Sequence, residues 1–181
     1  IARRLAPYGE PPADTRSALL PVGWVFTGLL FLQLFFGGLV AGLNAGFTYN
    51  TWPLMDGQMI PSGLLMQSPV WLNFFENVLT VQFQHRMVAY LLGAAAIFLV
   101  WRTCVVTDAK RIRLPAFHLA AFVFLQMVFG IVTLLGFGNY TGELSMHQLG
   151  VALVHQGFAV FVIAATIDYM AALKGEYPIR N

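Results

Sequence analysis

At 181 residues the chain has the length of one ordinary domain, but 58% of it is apolar and only 10% is Asp, Glu, Lys or Arg, against about 25% charge in a soluble domain. That shortage of polar surface excludes a water-soluble globule, a disordered chain, a coiled coil and a collagen, and the single Cys104 excludes a disulfide scaffold. With a net charge of +2 there is no basic footprint for nucleic acid, so an integral membrane protein with the lipid bilayer as partner is what remains.

Residues 1–20 form a polar lead-in, with a Pro-rich stretch from Ala6 to Asp14 that reads as a loop. It begins at Ile1 rather than Met and has no signal-peptide pattern, as expected of a processed chain or the latter part of a longer one. A spanning helix needs about 20 mostly apolar residues. Pro21 to Phe47 meets this without a charge, and it carries Gly38, Gly42 and Gly46 at four-residue intervals with Gly37 beside them. Small residues at that spacing predict close helix packing, and they also leave room for a flat ring.

The loop at 48–77 is long for a connection without its own span, and such loops are usually functional. It holds Asn50-Thr51-Trp52-Pro53-Leu54-Met55-Asp56-Gly57, and then Val70 to Phe75, which reads as a short interfacial helix with aromatic membrane anchors. We read it as a lid over a pocket. Its acids, Asp56 and Glu76, have no paired carboxylate or nucleophile that would suggest hydrolysis.

Three further spans follow: Val78 to Trp101, broken only by Arg86, then Leu114 to Phe137 and Leu144 to Ile167. None alternates with the period of a barrel strand. Backbone groups in lipid must be satisfied within the segment, so these are helices. The expected architecture is an all-α, antiparallel four-helix transmembrane bundle over 21–173, with a tail at 174–181.

Basic residues set the expected orientation. Arg3, Arg4 and Arg16 precede the first span, Arg102, Lys110, Arg111 and Arg113 lie between the second and third, and Lys174 and Arg180 follow the fourth. The connections 48–77 and 138–143 contain none. By the positive-inside rule both termini face the cytoplasm or matrix and the long loop faces out. The second and fourth spans then run in parallel, on a diagonal of the bundle.

Four histidines are the obvious metal or haem ligands, and depth separates them. His85 lies roughly 10 Å below the outer end of its span, and His155 roughly 15 Å below the outer end of its own if that helix begins near Ser145. His118 sits at the opposite face and reads as structural, while His147 sits at the outer rim. Only His85 and His155 share a depth, and they come from diagonal helices. Two imidazoles facing across a bundle are what a six-coordinate haem iron requires. The same pair could also serve as interhelical hydrogen-bonding groups. Arg86 reads equally as a counter-ion to a haem propionate, as a partner of Glu76, or as a snorkelling side chain. Cys104 reads as inert and Asp168 as the end of the fourth apolar run. No phosphate loop, zinc spacing or Ser-His-Asp arrangement occurs.

The runs Val40-Ala41-Gly42-Leu43-Asn44-Ala45-Gly46-Phe47, Tyr49 to Gly57 and Ile60-Pro61 resemble the haem A synthase family. So do Phe75-Glu76-Asn77, Val81-Gln82-Phe83, His85-Arg86, Leu125-Gln126, Gly130-Ile131, Thr133-Leu134-Leu135 and a His-Gln pair. The likeness covers residues 20 to 175 and is to the C-terminal four-helix half of an eight-helix protein. It implies a bis-His haem b, with His85 as one axial iron ligand, in a protein that oxidises the ring methyl of haem O to the formyl of haem A. Two His-Gln pairs stand where the family has one. Spacing from Gly130 points nearer His147; the flanking residues and the depth point to His155, which we adopt, with His147 as the alternative.

The resemblance further implies a bacterial plasma membrane or mitochondrial inner membrane, and partnership with a second four-helix half or with respiratory-complex subunits. The family's N-terminal half, with its own histidines, is not in this sequence. An alternative is therefore a non-catalytic haem-binding electron carrier or accessory subunit, and a third possibility is a haem-free structural bundle.

Overall fold

In the computed structural model, which describes residues 10–175, all four apolar runs are helical. In chain order the helices are α1 (Ala13–Gly42), the single turn α2 (Asn73–Glu76), α3 (Val78–Val106), α4 (Lys110–Gly136) and α5 (Met146–Lys174). Short 3-10 turns lie at Ala45–Phe47, Val70–Leu72 and Phe137–Asn139. The four long helices are apolar enough to cross a membrane. No strand occurs among the described residues.

The helices overrun their apolar runs where polar residues can still complete a turn. α1 starts at Ala13, not at Pro21 as the apolar run suggests. Pro12 enters at φ −47° and ψ 142°, and Asp14 places a negative charge on the first turn, where the helix dipole favours it. Pro21 is thus inside the helix, and Leu19 before it is already in the core. The Ala13 and Asp14 end of the expected lead-in loop is helical; residues 1–9 lie outside the described residues. At its far end α1 stops at Gly42, short of Phe47. Asn44 turns the chain at φ 54°, a left-handed conformation that asparagine tolerates better than most residues.

α5 begins where expected. Ser145 accepts from the Gln148 backbone N–H, and the Gln148 side chain accepts from the Ser145 N–H, a complete capping box. α3 begins just after Asn77, whose side-chain oxygen accepts from the Leu79 and Thr80 amides at 3.0 and 3.2 Å.

Packing runs in a ring: α1 against α3, α3 against α4, α4 against α5, and α5 back against α1. The second and fourth spans, α3 and α5, are therefore diagonal, as the up-down topology requires. The buried apolar core fills only the half of the bundle away from the long loop. It is made by Leu19, Phe26 and Leu30, by Leu92, Ala96 and Leu99, by Ile112, Leu119 and Val123, and by Val162, Tyr169 and Leu173. In its midst Thr103 and Tyr169 share a hydroxyl hydrogen bond of 2.8 Å. Toward the loop the interior becomes polar.

The loop is built around Asn73, which is fully buried. Its oxygen accepts from the Gln67 N–H and from Asn77 Nδ2, and its nitrogen donates to the carbonyls of Gln67 and Val70, all at 2.9 Å. The interfacial turn is thereby tied to the cap of α3. Each net bond contributes about 1 kcal/mol. Asn73→Ala is expected to cost about 2–4 kcal/mol, read as a melting temperature lowered by several degrees in detergent. An unchanged melting temperature would show that the network does not order this region.

Candidate functional site

Just above the core, toward the loop, α3 and α5 each present a histidine to the interior. His85 is half-buried, and the side-chain nitrogen of Gln33 on α1 lies 3.1 Å from its Nδ1 and 3.3 Å from its Nε2. A methyl group added at Gly37, one turn along α1, would stand 3.3 Å from the ring. His155 is also half-buried; a methyl at Gly130 on α4 would stand 2.9 Å from its ring, closer than side chains pack. Gln126 on α4 donates to the His155 carbonyl at 2.9 Å.

Each ring is therefore seated on a glycine of the neighbouring helix, with a glutamine one turn away. The seat is glycine because the ring occupies the space of a Cβ. His155 Nδ1 is buried without a hydrogen-bond partner, as are Gln33 Oε1 and Gln126 Oε1. Unpartnered polar atoms are costly in a membrane interior, and clusters of them mark functional positions.

Arg86, next to His85 but on another face of α3, is buried. It neither pairs with Glu76 nor snorkels to the surface. Its guanidinium donates to the carbonyls of Thr51 at 2.8 Å and Tyr49 at 2.5 Å, and to Gln82 Oε1 at 3.0 Å, while Nε has no partner among the described residues. The nitrogen of Gln82 in turn donates to the carbonyls of Ala45 and Thr48, both at 2.7 Å. Asn50 donates to Gly46 and Leu134, tying the same segment to the end of α4. Phe47 stacks on Tyr140 at 4.2 Å between ring centroids. The first part of the loop is thus strapped across α1, α3 and α4. Beyond it, Met55-Asp56-Gly57-Gln58 turns tightly, with φ of 49° and 85° at its two central residues and main-chain bonds of 2.9 and 3.1 Å closing it.

His147 stands exposed in the first turn of α5, and His118 is exposed on α4 at the other end of the bundle. Asp168, half-buried within α5, stands just past the apolar run that ends at Ile167. Cys104 is half-buried, and its carbonyl accepts from Arg113. The glycine stripe does not serve packing as expected. Side chains at Gly38 or Gly42 would meet nothing within 4 Å, and Gly46 lies outside the helix against Phe137. Only Gly37 faces the site. Hydropathy alone does not single out Gln33, Gln82 and Gln126 as residues of this region. The signal was available: an amide inside an otherwise apolar span needs a partner.

Two apolar clefts, of about 300 and 240 Å³, lie away from the histidine pair, the larger between α3 and α4 at Tyr90, Gly93 and Met127. Among the described residues no third His, Cys, Asp or Glu joins the pair. A donor set of two imidazoles suits a group that brings its own equatorial donors, and the glycine seats fit such a group.

The fold is that of an integral membrane four-helix bundle whose loop-side half carries two half-buried histidines among polar side chains. The chain belongs to the cytochrome oxidase assembly protein family, whose model matches residues 2–167. It is 42% identical over 180 residues to a protein named Heme A synthase from Mesorhizobium japonicum, and 45% identical over 181 residues to one of the same name from Brucella ovis. These alignments cover 99% and 98% of this chain but 46% of each relative, so the chain spans less than half the length of the curated relatives it matches. No solved structure matches it.

Proposed function

We propose that the chain is the haem b-binding half of a haem A synthase, an oxidoreductase that converts the ring methyl of haem O to the formyl of haem A. The observation that carries this reading is the placement of His85 and His155. They come from diagonal helices, lie at similar depth in the loop-side half, and each is backed by a glycine. His85 and His155 would hold the iron, and a bound b-type haem would supply reversible one-electron chemistry there.

The chain's own residues do the rest. Gly37 and Gly130 let the rings lie close to their neighbouring helices. Gln82, Asn50 and Arg86 hold the loop across the end of the bundle, which keeps water from the pair. Arg86 also leaves a positive charge and a free Nε–H beside the site, which suits a haem carboxylate. The bundle would lie in a bacterial plasma membrane or mitochondrial inner membrane with the loop outward. A second four-helix half would bring haem O, and respiratory-complex subunits are further partners.

A reduced-minus-oxidised spectrum of the purified chain tests the reading. A low-spin b-type spectrum is expected, retained in His118→Ala and lost in His85→Ala. A chain that takes up no haem, or one whose spectrum survives His85→Ala, overturns it. Conversion of haem O by this chain with a separately produced N-terminal half supports the synthase. Haem binding without conversion in that mixture leaves an electron carrier.

A further inference from the structure

The surroundings of the two histidines repeat one arrangement. Gln33 and Gly37, one turn apart on α1, face His85 of α3. Gln126 and Gly130, one turn apart on α4, face His155 of α5. Both glutamine helices run toward the loop and both histidine helices run away from it, so the pairs α1/α3 and α4/α5 repeat the placement, with Gln33 on the ring of His85 and Gln126 on the main chain of His155.

In both copies an acceptor is left over. Gln33 Oε1 and Gln126 Oε1 are buried without partners, and so is His155 Nδ1. A neutral imidazole offers one N–H, and an amide oxygen accepts it. Gln126 is anchored at His155 by its bond to the main-chain carbonyl; its Oε1 and His155 Nδ1, both without a partner, are not bonded to each other. The Gln33 amide sits 3.1 Å from His85 Nδ1; turned about its last bond, it presents oxygen there instead of nitrogen.

We propose that Gln33, with its amide turned, and Gln126, after a turn of its side chain that brings Oε1 to the ring, are positioning residues that accept the Nδ1–H of His85 and His155, fix both rings in that tautomer, and leave each Nε2 lone pair as the metal-binding atom. The identity of what Nε2 binds rests on the haem reading above; the glutamine–histidine pairing does not. An acceptor on Nδ1–H orients the ring and makes Nε2 a stronger ligand. Glutamine does this without placing a carboxylate charge in the membrane, which would be expensive.

The pairing is tested first on the haem-free chain in detergent micelles with ¹⁵N-labelled histidine, whose ring-nitrogen shifts report the tautomer. The Nδ1–H form is expected at His85 and His155. Gln33→Leu should release His85 alone, Gln126→Leu should release His155 alone, and Gln33→Glu, which keeps an acceptor, should preserve the tautomer. On haem addition each leucine variant should bind about ten- to a hundred-fold more weakly, and the glutamate variant should lower the midpoint potential. Nε2–H tautomers in the unaltered chain, or tautomers unmoved by both leucine variants, overturn the proposal. If the chain takes up no haem the ligand reading fails, and the tautomers still decide the pairing.

Discussion

His155→Ala is expected to remove the low-spin spectrum from the purified chain, while His147→Ala leaves it essentially unchanged. The two residues stand in identical His-Gln pairs eight positions apart on α5, so local sequence does not separate them. Their surroundings do. His147 is exposed in the first turn, just past the Ser145 cap, while Gln148 beside it is buried and donates to the Gly136 carbonyl at 3.1 Å. His155 is two turns further in, with its ring against Gly130. Losing one of two axial ligands should convert a low-spin iron to a high-spin one or abolish retention outright, a change visible in the α-band. The reverse result, with the spectrum lost in His147→Ala and kept in His155→Ala, would move the second ligand to the outer rim and dismantle the matched-depth argument.

Arg86→Leu is expected to open the loop while leaving the bundle helical. Three acceptors depend on this one guanidinium: the Tyr49 and Thr51 carbonyls and Gln82 Oε1. Hydrogen bonds to a charged group contribute about 1.5–3 kcal/mol each, offset here because opened carbonyls regain water, so a local loss of about 2–4 kcal/mol follows. Cleavage within 48–77 by thermolysin should accelerate by one to two orders of magnitude, with helical circular dichroism preserved. Trypsin is not suitable, since that stretch has no Lys or Arg. Arg86→Lys should rescue only part of the effect, because one ammonium on a flexible stem cannot reproduce a planar fork reaching three acceptors. Equal cleavage rates in wild type and Arg86→Leu would show that the strap is held by Gln82 and Asn50 without the arginine.

Arg86 also shows where reading the chain alone stops. An arginine beside a histidine inside an apolar run had three reasonable partners: a propionate, Glu76 or the surface. The partners it has are two main-chain carbonyls and Gln82, and a carbonyl has no signature in a sequence. The same holds for the glutamines. Gln33 is visible as an amide in an apolar run, but its facing His85 depends on the rotation of α1 against α3. The glycine stripe failed for a related reason. Four glycines at close spacing invite a packing motif, yet Gly38 and Gly42 face open space and only Gly37 is approached by the site.

By itself the amino-acid sequence determined the membrane class, the four spans, the starts of α3 and α5 at Asn77 and Ser145, and the diagonal relation of the two histidine helices. These follow from hydropathy, capping chemistry and chain order, which act between near neighbours or over whole segments. Only the tertiary structure decided which side of each helix faces inward, that Gly37 and Gly130 rather than Gly38 or Gly42 seat the rings, and that the loop is strapped down by Arg86. Those outcomes are set by contacts between residues far apart in the chain, such as the bond from Arg86 to Thr51 across 35 positions. Helix rotation is what brings such groups together, and in runs apolar on every side hydropathy leaves that rotation open.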